Sequence, residues 1–153
     1  MCLASSSNGA RFVKRLACAL ATLESVSVRT YWGDDGFWVC PKTPGGFDVS
    51  VEFEGNRFVV ATDTGSEYFG DAEPAIKHCV YSLTEVMRLQ RTFRGNQVVR
   101  SELQTWNGTN WVSSVFTGRV FIPFWRRKHV ENVQNNVLTV SQAEAAVADA
   151  LQV

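Results

Sequence analysis

Basic residues are not in excess in this chain of 153 residues: 15 lysines and arginines face 15 aspartates and glutamates. A protein dedicated to nucleic acid needs a basic surplus for its phosphate contacts, so that class is disfavoured. No apolar run approaches the roughly 18 residues of a bilayer-spanning helix, so no membrane partner is expected. Cysteine is sparse, with four residues, Cys2, Cys18, Cys40 and Cys79. They form no C-x-x-C pair, no metal-ligand spacing and no dense disulfide framework. The opening MCLASSSNG lacks the basic-then-apolar order of a secretory signal. Free thiols in a reducing cytoplasm are therefore expected, with Cys18 and Cys79 packed in the core as small hydrophobes. The two histidines, His78 and His129, lie 51 residues apart with no carboxylate at ligand spacing, so no metal site is expected. Neither G-x-x-x-x-G-K nor G-x-G-x-x-G occurs, and no cofactor is implied.

What remains is 45% apolar and 12% aromatic, an ordinary globular composition. A chain of this length buries roughly 68–70% of its unfolded surface and needs no metal or disulfide to hold a core. Residues 1–8 read as a flexible tail and residues 9–153 as a single α+β domain. Phe12, Leu16, Leu20 and Leu23 recur at helical steps, with Arg11, Lys14 and Arg15 on the outer side. Residues 25–32 read as a strand, 33–36 as a turn, 37–40 as a partner strand and 42–46 as a loop. Phe47, Val49, Val51 and Phe53 then alternate with polar residues up to Gly55-Asn56, a two-residue hairpin turn. That register sets Glu54 against Arg57, Phe53 against Phe58 and Val51 against Val60.

Residues 64–70 read as a loop. Asp71 and Pro74 open a helix whose stripe is Ile76, Val80, Leu83 and Met87, with Arg88, Arg91 and Arg94 in its last turns before Gly95. A second hairpin over residues 97–122 turns at 107–110: with Gly108-Thr109 as the tight turn Trp106 faces Trp111, whereas Asn107-Gly108 slips the register by two and keeps the same faces. One face would carry Val99, Ser101, Leu103, Phe116, Val120 and Ile122, and the other Arg100, Glu102, Gln104, Trp106, Trp111 and Arg119. Residues 130–140 fit either a last strand or irregular chain. Ser141 to Glu144 has the form of a capping box before an alanine-rich helix.

The expected fold is α+β: an antiparallel sheet built from hairpins, helices packed on one face, in the order α-ββ-ββ-α-ββ-α. That order is similar to the order of elements in the small dimeric chaperones of type III secretion, which are typically acidic. The likeness is one of element order alone.

Little here points to catalysis. His78-Cys79 places an imidazole beside a thiol, but neighbouring helix positions diverge by about 100° and cannot pair. Cys2 precedes a serine-rich tail, Asp34-Asp35 sits in turn composition, and Asn107-Gly108-Thr109 is a glycosylation triplet only in a secreted protein. No catalytic residue is assigned.

Charge distribution is more unusual. Residues 24–73 carry ten acids against three bases, and residues 77–128 nine bases against two acids. Within the basic half, Arg100, Trp106, Trp111, Arg119, Trp125 and Arg126 are the candidate binding residues, because tryptophan and arginine join large area to a planar polar handle. The reading from sequence is a non-catalytic binding module, expected to be a homodimer that takes a protein partner or a small anion. The alternative is an enzyme or carrier with a cavity between sheet and helices, and a weak nucleic-acid binder ranks third.

Overall fold

The computed structural model describes residues 8–30 and 35–152. Residues 1–7 of the expected tail, and Gly33-Asp34 of the expected turn, lie outside them. The described residues form three helices and two antiparallel sheets. Strands β1 (Val26–Thr30), β2 (Gly36–Pro41), β3 (Val49–Glu54), β4 (Arg57–Thr62) and β5 (Gly65–Phe69) make a five-stranded meander, sheet A. Strands β6 (Met87–Arg94), β7 (Gln97–Trp106), β8 (Trp111–Gly118) and β9 (Lys128–Val133) make sheet B, in the order β8-β7-β6-β9. Edge strands β5 and β8 adjoin: the Thr117 hydroxyl donates to the Thr64 carbonyl, and Gly65 lies against Val115 and Thr117. Sheet A carries the acidic half of the sequence and sheet B the basic half.

Helix α1 (Asn8–Ala21) lies on β1 to β3 and α2 (Ala72–Tyr81) on β3 to β5. Helix α3 (Val140–Leu151) packs on both of those helices. Alternation in the strands drives this arrangement. Phe37, Val39, Val49, Val51, Phe58 and Val60 are buried on one face of sheet A beneath Val13, Leu16, Leu20, Ile76 and Val80. Met87, Leu89 and Leu103 carry the same core onto sheet B. The hairpin register of β3 and β4 is the one the sequence implies, including Phe53 opposite Phe58.

Several local expectations are corrected. Asn8 belongs to α1 rather than to a tail, and Gly9 is buried where a Cβ would fall 2.2 Å from the Phe53 ring. Residues 65–69, expected as loop, pair with β4. The helix expected to reach Arg94 stops at Tyr81, because the hydroxyls of Ser82 and Thr84 bond back to the carbonyls of Cys79 and Tyr81. Beyond that break, Met87 and Leu89 alternate with Arg88 and Gln90; all four pair with β7, and from Leu89 onward the strand pairs with β9 as well. The capping box of α3 forms two residues earlier than expected, between Thr139 and Gln142. The segment 130–140 is strand at first and then irregular, ending at that cap.

Cys79 is fully buried, as expected, but Cys18 is exposed and Cys40 half-buried. Burial pushes the Cys79 thiol up to about 12. A thiol reagent is expected to label Cys18 in the native protein and to reach Cys79 only on unfolding. Equal labelling rates at the two positions would contradict this packing.

Candidate functional site

The face of sheet B turned away from the core is built by alternation. Leu89 and Leu103 point inward, so Arg88, Gln90, Arg100, Glu102, Gln104 and Trp106 point outward. Register shifts modify this pattern at Thr92/Phe93 and at Leu103/Gln104. The second one moves Phe116 from the inner face, where strict alternation places it, to a position opposite Glu102 on the outer face. Phe116 stands largely in solvent there, with the Arg100 guanidinium 5.2 Å from its ring centre.

From Phe116 the row continues without a break. Arg100 is ion-paired with Glu102, and Glu102 accepts at 2.8 Å from the Gln104 amide. Gln104 accepts at 2.8 Å from Arg88 Nε, and the Arg88 guanidinium lies 4.1 Å above the Trp111 ring. Trp111 meets Trp106 with ring centres 5.4 Å apart and a tilt of 56°. The turn beyond this pair is fixed by Asn107, whose side-chain oxygen accepts from the backbone of Thr109 and Asn110. Alternating cations, rings and amides thus hold one another in place, a planar array prepared before any partner arrives.

Of the six candidate residues, the structure brings Arg100, Trp106 and Trp111 into this row. Arg119, Trp125 and Arg126 belong instead to the loop between β8 and β9. It lies at the other end of the sheet, roughly 30 Å from the tryptophan pair by the length of β7. Arg119 donates its backbone N–H to the Val99 carbonyl there. Val120 and Ile122, expected on an inner strand face, are exposed parts of that loop. Sequence reasoning missed Arg88 as a member, because it was read as helical, and missed Phe116 for want of any sign of the bulge.

A second constellation joins α2 to β5. Glu67 Oε2 lies 2.7 Å from His78 Nε2, and the Phe69 ring flanks the imidazole with centres 5.4 Å apart. Burial raises the Glu67 carboxyl and lowers His78 to about 4. Near neutral pH the imidazole is therefore uncharged beside the Glu67 carboxyl. His78 lines an open apolar groove of about 490 Å³ together with Phe69, Lys77, Tyr81, Met87 and Trp106. Its sequence neighbour Cys79 is fully buried and points about 100° away around the helix.

Among the described residues no cluster of three histidine, cysteine or acidic side chains has the geometry to hold a metal. The three arginines 88, 91 and 94 are each engaged within the fold: on Trp111, with Asp63 at 2.8 Å, and with loop carbonyls. The chain matches no protein-family model, no curated protein and no solved structure. The functional reading therefore rests on geometry.

Proposed function

We propose that this protein is a non-catalytic interaction module that binds through the outer face of sheet B, and that one of its partners is a second copy of itself. The observation that carries the reading is the ordered row from Trp106 and Trp111 to Arg100 and Phe116 on the back of a core sheet, with Trp106, Arg100 and Phe116 exposed. Side chains fixed in advance lose little freedom on binding, and such tryptophans and arginines dominate contact energetics. Two-fold pairing buries the same row on both copies. Such a module works in the reducing cytoplasm, and a small anion would reach the row only by displacing Glu102 from Arg100.

Light scattering and sedimentation test this directly. The expected result is a dimer of two 17.0 kDa chains. Trp106→Ala with Trp111→Ala is expected to weaken it at least about tenfold while leaving the circular dichroism unchanged. A monomer at all concentrations rejects self-association, and an unaffected dimer places the interface elsewhere.

One observation favours a second reading, a small-molecule enzyme or carrier: His78, with Glu67 beside it, on the wall of the apolar groove. A thermal-shift screen separates the two, since strong stabilisation by one small metabolite supports the groove and not the sheet face.

A further inference from the structure

The loop between β8 and β9, residues 119–127, is unlike the rest of the surface. Val120 is fully exposed, and Phe121, Phe124 and Trp125 are 72%, 75% and 63% exposed, with Ile122 beside them. Single exposed apolar side chains are ordinary, but five within six residues form a contiguous patch.

This loop is not loose chain. Arg119 donates to Val99 at its start, Gly95 N–H donates at 2.8 Å to the Arg127 carbonyl at its end, and Pro123 in its middle is buried. The Arg94 guanidinium reaches the carbonyls of Phe124 and Arg126. Trp125 meets Phe121 and Phe124 edge to face, with ring centres 5.9 and 5.4 Å apart. The backbone is held from below while the rings project.

Around the rings stand Arg119, Arg126, Arg127 and Lys128, all exposed. No acidic residue occurs between Glu102 and Glu131. We propose that this loop docks the protein on the surface of an anionic lipid bilayer, with Phe121, Phe124 and Trp125 entering the headgroup boundary and the four cations resting on lipid phosphates. Phenylalanine and tryptophan favour that boundary, and a cationic collar free of acids complements its negative potential. No helix among the described residues is long and apolar enough to cross a bilayer. The loop requires none, because it lies on the surface. The loop is separated along the sheet from the Trp106–Trp111 end of the outer-face row, while Arg100 and Phe116 at the other end of that row lie near its start at Arg119.

The test is flotation of the full chain with phosphatidylcholine vesicles, with and without phosphatidylserine. The wild type is expected to float with the anionic vesicles only, and less as salt rises. Phe121→Ser with Trp125→Ser removes exposed rings and leaves the core untouched, and it is expected to weaken binding at least about tenfold. Arg126→Glu with Arg127→Glu is expected to abolish the preference for anionic lipid, whereas Trp106→Ala with Trp111→Ala leaves flotation intact. No flotation with either vesicle overturns the proposal, and so does flotation insensitive to the ring substitutions. If those same substitutions instead abolish binding to a single-stranded oligonucleotide, or self-association in the absence of lipid, the loop belongs to that partner and the proposal fails.

Discussion

Asn135→Ala is expected to cost about 3–5 kcal/mol of folding stability. The side chain of Asn135 is wholly buried and makes three hydrogen bonds, each to backbone. Its oxygen accepts from Phe47 N–H at 2.8 Å, and its amide donates to the carbonyls of Phe47 and Ser82, each at 3.0 Å. One residue thereby ties together the chain entering β3, the end of α2 and the approach to α3. Alanine orphans three buried backbone groups, each of which costs on the order of 1–3 kcal/mol when left unpaired. Partial relaxation keeps the total below the sum. Asn135→Asp is expected to do no better, since an ionised carboxylate cannot donate to the two carbonyls it would face. Urea denaturation checks both variants, and an Asn135→Ala loss below about 1 kcal/mol with an unchanged slope would contradict the clamp.

The second large effect is a pH dependence. His78 falls from its ordinary 6.5 to about 4 because burial disfavours the charged ring. Between those values the unfolded chain binds a proton that the folded chain refuses, so stability rises with pH across that window. Its contribution is complete above pH 6.5 and is lost as pH falls toward 4, a change of roughly 3 kcal/mol. Glu67 acts in the opposite sense: its carboxyl is raised from 4.5 by burial, so its contribution declines as pH climbs through the raised value. The stability difference between wild type and His78→Gln isolates the histidine. It is expected to be flat above pH 6.5 and to shrink on acidification. A difference that grows on acidification would mean that the folded protein stabilises a protonated imidazole, contrary to the neutral, buried ring described here.

The parts of this fold that were legible in the sequence are those in which one periodicity acts alone. Strict alternation through residues 47–54 and a glycine-first turn suffice for the β3–β4 register; for the second hairpin alternation gives the faces, and it is the turn centred on Gly108-Thr109 rather than on Asn107-Gly108 that sets Trp106 against Trp111. Residues 76–94 satisfied two periods at once. Ile76, Val80, Leu83 and Met87 are helically spaced, yet Met87 and Leu89 also alternate with polar neighbours. Two hydroxyls at 82 and 84, capable of ending the helix, decided between them. The outer-face row was half legible for the same reason: Trp106, Trp111 and Arg100 follow from alternation, whereas Phe116 depends on a bulge that leaves no mark in composition. Asn135 and the Glu67–His78 pair were not legible at all. Each joins residues distant in sequence, and a single polar residue carries no pattern that announces a buried partner.

The central claim, that the outer face of sheet B is a contact surface between copies, is tested most directly by the indole N–H resonances of the tryptophans as protein concentration rises. The signals of Trp106 and Trp111 are expected to move together along one binding curve, while that of Trp38, on sheet A, stays in place. Stationary Trp106 and Trp111 signals in a protein that does associate, or movement of Trp38 in their stead, would contradict the claim.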